Sequence, residues 1–186
     1  MAAAARDQTE LSLLVPIYNE AENIAPAAAE VHEALSARAR PYEVLWIDDG
    51  STDSTFEELK AAAARHANMR VIRLGANYGQ TAAMSAGIRH ARGEIIACMD
   101  GDRQNDPRDI AKLLSKMEEG YDVVSGWRRH RQDPWLTRRL PSEAANRIIS
   151  RVTGVSLHDY GCTLKLYRSR YLRDLRLYGE MHRFIP

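Results

Sequence analysis

Short apolar runs alternate with amphipathic stretches over the first two-thirds of the chain. The runs are Leu11–Val15, Glu43–Ile47, Met69–Leu74, Glu94–Met99 and Tyr121–Ser125. Each is rich in Val, Ile or Leu, as expected of strands buried on both faces. Between them lie Glu22–Ala37, Ser54–Arg65, Gln80–Ala91 and Pro107–Glu118, which carry helical spacing. Ser54 with Glu57 predicts a capping box on the second helix. Pro107 suits a first helical position, with Asp106 or Asn105 as the cap before it. Gly120 marks that helix's end. Strand and helix alternating this often predict an α/β fold, a mostly parallel central sheet with helices on both faces. Neither GxxxxGK[ST] nor a GxGxxG after a strand occurs, which disfavours P-loop and dinucleotide-binding versions of such a sheet.

After Ser125 the pattern changes. Gly126–Leu140 is a loop-like stretch holding Arg128, Arg129, Arg131, Arg138 and Arg139. A helix from about residue 142 to 152 is expected next, then strand material at Leu164, Leu166 and Tyr167, then a short helical tail. This shift gives the charge count its meaning. The 186 residues carry 26 Lys+Arg and 25 Asp+Glu, a net charge of +1. Residues 1–126 hold 13 basic and 20 acidic side chains, net −7, and residues 127–186 hold 13 and 5, net +8. Such asymmetry points to a charged partner.

Composition narrows the class. With 45% hydrophobic and 27% charged residues, the chain reads as one soluble globular domain. No apolar run approaches the ~18–20 residues of a membrane span. Met1–Glu10 lacks the apolar core of a secretory signal. Cys98 and Cys162 make no metal spacing and read as reduced thiols. The overall charge does not support a nucleic-acid binder.

Three expected strands end in polar, turn-forming clusters: Pro16-Ile17-Tyr18-Asn19-Glu20, Asp48-Asp49-Gly50-Ser51-Thr52-Asp53, and Asp100-Gly101-Asp102-Arg103-Gln104-Asn105-Asp106. In open parallel sheets ligands sit at the carboxyl ends of strands. Acids gathered at one edge repel unless a cation or hydrogen-bonding ligand neutralises them. Asp100 and Asp102, separated only by Gly101, can both reach one ion–phosphate assembly. Mg²⁺ takes one or two protein carboxylates and completes its octahedron with waters and phosphates. The pair therefore suits a nucleoside diphosphate held through a metal, with Gly101 allowing close backbone approach. Asn77-Tyr78-Gly79-Gln80 reads equally as part of this edge or as a plain turn.

In order and spacing, these segments resemble the family-2 glycosyltransferases of GT-A fold over nearly the whole chain. Asp159-Tyr160-Gly161-Cys162-Thr163-Leu164-Lys165-Leu166-Tyr167-Arg168 and Tyr178–Pro186 look like the branch of dolichyl-phosphate mannosyltransferase and bacterial polyprenyl-phosphate glycosyltransferases. The resemblance implies that Pro16, Tyr18 and Glu20 hold base and ribose. It implies that Asp49 accepts from the base with Asp48 beside it, and that Asp100 lies near ribose and metal. Asp102 and Gln104 match metal ligands, usually for Mg²⁺ or Mn²⁺. Arg103 departs from the family pattern, which more often has an apolar residue there. As a cation beside the metal site, it either weakens the metal or points away.

The resemblance further implies an inverting transfer of a sugar from a UDP- or GDP-linked donor to a polyprenyl phosphate (undecaprenyl or dolichyl). The protein would work peripherally at the cytoplasmic face of the membrane. Residues 1–126 would serve the donor and 127–186 the acceptor. Arginine forks suit phosphate, and position in the family pattern favours Arg128, then Arg139. Asp159 is the candidate base or acceptor-orienting acid. Lys165 either neutralises phosphate or, on alternation alone, faces solvent. Members of this branch usually continue past Phe184-Ile185-Pro186 into an amphipathic or membrane segment. Two alternatives stay open: a nucleotide-sugar-binding fragment inactive without such a tail, and, ranked lower, a sugar-phosphate nucleotidylyltransferase.

Overall fold

The computed structural model describes residues 9–38, 40–127, 162–175, 177 and 179. Five strands run β1 Leu11–Ile17, β2 Tyr42–Asp48, β3 Met69–Arg73, β4 Ile95–Cys98 and β5 Val123–Ser125, and a sixth, β6, spans Lys165–Arg168. The helices are α1 Ala21–Ser36, α2 Thr55–Ala63, α3 Gln80–His90, α4 Asp109–Glu118 and a final short turn α5, Ser169–Leu172. The sheet order is β3-β2-β1-β4-β6-β5. β1 to β4 are mutually parallel where they pair, and β6 runs antiparallel between β4 and β5. The expected helix around residues 142–152 lies outside the described residues.

Alternation along the strands sends side chains to two cores. On one face Leu13, Val15, Val44, Trp46 and Ala97 meet Ile24 and Val31 of α1, Leu59 of α2, and Ile110 and Met117 of α4. On the other face Leu14, Leu45, Ile47, Ile96 and Tyr167 meet Ala83, Met84 and Ile88 of α3 and Leu172 of α5. The helices therefore cover both faces, as the sequence pattern predicts. Among the described residues no helix is long and apolar enough to cross a membrane. Neither cysteine is in a disulfide. Burial pushes the Cys98 thiol up to about 12, so it is inert as a nucleophile.

Local detail corrects two expectations. The Ser54–Glu57 capping box does not form: Ser54 has φ −78° and ψ 8°, not the extended backbone that turns a cap hydroxyl over the first turn. Asp53 acts instead, its Oδ1 accepting from the Thr55 N–H at 3.0 Å, and these bonds hold its carboxyl below the ordinary value. α4 begins at Asp109, with Pro107 and Arg108 in the preceding turn. Asp106 holds that turn, accepting from the Arg108 N–H at 2.9 Å, while the Asn105 amide donates to Thr163 Oγ1 at 2.8 Å.

The amino ends of the strands are fastened by one buried carboxylate. Glu43 Oε1 accepts from Ser12 Oγ and from the Arg92 N–H, both at 2.7 Å, and Oε2 accepts from Arg70 Nη1 at 2.6 Å. Ser12 Oγ also accepts from the Gly93 N–H at 2.8 Å. β1, β2, β3 and the α3–β4 turn thus share one network, and removing its centre strands several buried donors. Glu43→Ala is expected to lower the unfolding free energy by ~3 kcal/mol, against ~1 kcal/mol for Ser12→Ala, both read by urea denaturation.

Candidate active site

The site is built where β1 and β4 part. β1 pairs with β4 only from Leu11 to Leu14, while its pairing with β2 continues through Pro16 and Ile17. A proline is tolerated at Pro16 because that side of the strand has no ladder to supply with an N–H. The connections pass from β1 through β2 and β3 on one side and return to β4 on the other. The parting is therefore the topological switch point, where open α/β sheets bind ligands.

A cleft of about 270 Å³ opens here, lined by Pro16, Ile17, Tyr18, Asp49, Asn77, Gly79, Gln80 and Ala83. Tyr18 is 43% exposed and stands at its mouth. Asn19 takes φ +52°, and its amide oxygen accepts from the Thr52 N–H at 2.9 Å. The Asn19 N–H donates to Ser51 Oγ and the Glu20 N–H to Thr55 Oγ1, each at 2.9 Å. Asn19 therefore stitches the β1 end to the β2 end rather than capping α1.

Asp49, buried, grips the far wall. Its Oδ1 accepts from the Tyr78 N–H at 2.9 Å and its Oδ2 from the Gly79 N–H at 2.8 Å. Asn77–Gln80 is thus part of the edge and not a plain turn. Asp48 does not line the cleft: its fully buried carboxylate accepts from the Ser51 N–H at 2.9 Å and lies 3.4 Å from Arg73 Nε. Its place is in the turn, where sequence adjacency to Asp49 suggested the nucleotide.

Asp100 and Asp102 follow β4 on the other side of the parting. Gln80 Nε2 donates to Asp100 Oδ1 at 2.7 Å. Asp102 is exposed, and its Oδ1 accepts from the Gln104 N–H at 3.0 Å. Gln104 is exposed beside it. Gly101 has a packing role: a Cβ there would lie 1.9 Å from Ile17 Cδ1, so the acid loop sits directly on the end of β1. Arg103 adopts φ +62°, and its guanidinium forms a two-pronged pair with Glu30 on α1. That pairing draws the cation onto the α1 carboxylate.

Lys165 is buried on β6 directly opposite Cys98, on the α3 face of the sheet. The solvent-facing alternative for it is overturned, because β6 is an interior strand covered on that face. Burial dominates the upward shift of the Cys98 thiol, while the Lys165 ammonium and the Asp100 carboxylate act on it in opposite directions. Arg128, Arg129, Arg131, Arg138, Arg139 and Asp159 lie outside the described residues.

Two larger hollows, about 440 and 540 Å³, open at the opposite edge. There Arg40 pairs with Glu10 at 3.0 Å and Glu118 at 3.2 Å, and Arg70 with Glu43 at 2.6 Å, so much of the charge is already matched. The smaller cleft is the one that the strand-end carboxylate Asp49 lines. Sequence reasoning missed Thr55 as a builder of this edge, and placed Ser51 and Asn105 in its clusters without their partners. Hydroxyls and amides in loops carry no period to betray them, and their role appears only when two strand ends meet.

Gly50 locks the arrangement. It has φ +71°, and a Cβ on it would lie 2.4 Å from the Ala76 carbonyl carbon. Neither backbone can yield without loosening Asp49's hold on Tyr78 and Gly79. Gly50→Ala is expected to cost at least ~2 kcal/mol of stability, whereas Gly75→Ala, where a Cβ meets nothing within 4 Å, should change it by ~0.5 kcal/mol or less. Parallel thermal unfolding of the two variants checks the contrast.

Comparison with known proteins agrees with this architecture. The chain is 48% identical over 179 residues to dodecaprenyl-phosphate galacturonate synthase of Rhizobium johnstonii, covering 95% of this chain and 53% of the relative. It is 41% identical over 177 residues to undecaprenyl-phosphate 4-deoxy-4-formamido-L-arabinose transferase of Shewanella sediminis, again covering 95% and 53%. The chain thus spans about half the length of these curated relatives. Among solved structures, mannosyl-3-phosphoglycerate synthase from Rubrobacter xylanophilus superposes with TM-score 0.68 at 17% identity, covering 88% of this chain and 54% of that one. A mannosyltransferase from Pyrobaculum calidifontis, in complex with GDP-Man and Mn²⁺, superposes with TM-score 0.63 at 22% identity, covering 92% and 48%. At these identities the structures speak for the shared GT-A fold. The description "Glycosyl transferase family 2" matches residues 12–176, and with most of its length matched the chain belongs to that family.

Proposed function

We propose that the protein is the donor-binding and catalytic part of an inverting, metal-dependent glycosyltransferase. It would move a sugar from a UDP- or GDP-linked donor to a polyprenyl phosphate. The observation that carries this is the meeting, at the β1/β4 parting, of a cleft walled by Pro16, Tyr18 and Asp49 with the acid loop Asp100–Gln104, which is exposed from Asp102 onward. The polyprenyl-phosphate acceptors named for the two curated relatives support the acceptor class.

In this reading Tyr18 and Pro16 pack against the base, while Asp49 fixes the wall opposite and offers its remaining lone pairs to base N–H groups. Glu20 flanks the ribose side. Asp100, Asp102 and Gln104 present hard oxygen donors, a set that fits Mg²⁺ or Mn²⁺. Among the described residues no cluster of three or more His, Cys, Asp or Glu side chains is assembled in advance. That matches a cation completed by the donor's own phosphates. A bound divalent cation would offset the charge that develops on the leaving diphosphate.

The acceptor phosphate is already an anion and needs no strong base. Asp159 would orient it, and Arg128 and Arg139 would hold phosphate oxygens. Lys165, buried on β6 opposite Cys98, would add positive potential. Residues 1–126 would serve the donor and 127–186 the acceptor, with the protein peripheral on the cytoplasmic face of the membrane. The relatives' greater length favours a second reading, a domain that binds nucleotide and metal but turns nothing over without the rest of its protein.

Calorimetry with UDP and GDP plus Mn²⁺, run beside a transfer assay on a short polyprenyl phosphate, separates the two. Asp102→Ala is expected to abolish metal-dependent nucleotide binding and to cut any transfer by about 10²-fold or more. Full activity of that variant in excess chelator would sink the metal assignment. Binding without transfer selects the second reading.

A further inference from the structure

The Gln80 side chain joins the two halves of the site, and nothing in the donor reading gives it a task. It is the first residue of α3, and its backbone is anchored through Gly79. Asp49 holds the N–H groups of Tyr78 and Gly79, and the Gly79 carbonyl starts the helix by accepting from Ala82 at 2.9 Å and Ala83 at 3.2 Å. From that fixed base the Gln80 amide crosses the parting and donates to Asp100 Oδ1 at 2.7 Å. The same side chain lines the cleft beside Pro16, Tyr18 and Asp49. An unbroken run of hydrogen bonds therefore leads from the end of β2, through the α3 start, to the acid after β4. Gln80 is not a helix cap: α3 has no side-chain cap bond, and this amide reaches a different loop.

We infer that Gln80 is a positioning residue, which aims the Asp100 carboxylate and couples occupancy of the nucleotide cleft to cation binding at the acid loop. This deepens the donor reading and rests on it. The chemistry of the side chain fits the task. Two side-chain torsions set where the Asp100 carboxylate points, and a short hydrogen bond from a rigid helix start favours one setting of them. A neutral amide does so without cancelling the carboxylate's charge. A lysine would neutralise Asp100 and compete with a cation, and a glutamate would repel it. A ligand that packs against Gln80 in the cleft stiffens Asp100, and by linkage a cation held at Asp100 must tighten the cleft's ligand by the same factor.

The test uses the whole chain with UDP and, separately, GDP. It measures free Mn²⁺ by electron paramagnetic resonance at saturating nucleotide, and nucleotide affinity in EDTA by calorimetry. Gln80→Met keeps length and volume but removes the donor. It should weaken Mn²⁺ binding to the nucleotide complex by about tenfold, the worth of one hydrogen bond to a charged group, and shift metal-free nucleotide affinity by no more than about threefold. Gln80→Lys should weaken Mn²⁺ further, although it can still donate. Equal Mn²⁺ affinity in wild type and Gln80→Met overturns the inference. So does a Gln80→Met protein that loses metal-free nucleotide affinity and thermal stability together, since that is a structural role. If the wild type binds neither nucleotide with Mn²⁺, the donor reading itself falls, and this inference with it.

Discussion

β1 has partners on both sides through Leu14 and on one side only from there to Ile17. This loss of one neighbour for less than a turn of chain organises the carboxyl edge. It allows a proline inside the strand, leaves room for the cleft that Tyr18 lines, and lets Gly101 rest on Ile17. Had β4 continued alongside β1, its ladder would fill the crevice and the acids would point along a closed sheet. The fold makes the site by stopping a strand early.

The acids that collect there are tolerable because each is held by a different kind of donor. Asp49 takes two backbone N–H groups, Asp48 a backbone N–H and a nearby guanidinium, and Asp100 a side-chain amide. Asp102 accepts from the Gln104 N–H of its own turn and stands exposed. The gradient runs from carboxylates whose bonds build the scaffold to one with most of its hydration intact. A cation displaces water at Asp102 without breaking the scaffold, whereas neutralising Asp49 would release the whole wall that Tyr78 and Gly79 belong to.

Much of this was legible in the sequence, and the boundary has physical causes. The strand and helix order through Glu118 follows from period and from the Val, Ile and Leu content, because burial on both faces leaves few other arrangements. The edge was legible because Asp and Gly cluster where strands end. Which carboxylate does what was not: Asp48 and Asp49 are neighbours in sequence, yet alternation sends them to opposite tasks. Gly101 looked like an opening for a ligand and is a seat for Ile17. Lys165 looked half solvent-facing because a lone strand reads the same from either side. Only the insertion of β6 between β4 and β5 buries it.

That insertion also dictates an order of assembly. β1 to β4 fall within residues 11–98, so about half of the chain carries the parallel part of the sheet. β5 cannot join it, since its described ladder partner is β6, some forty residues further on. The edge of β4 must stay open through synthesis of everything between, and the sheet is finished only when a late segment threads into its middle. Long-range closure of this sort is slow and leaves an unpaired edge exposed while it waits. The last described strand, β6, is thus the keystone that joins β5 to the rest of the sheet.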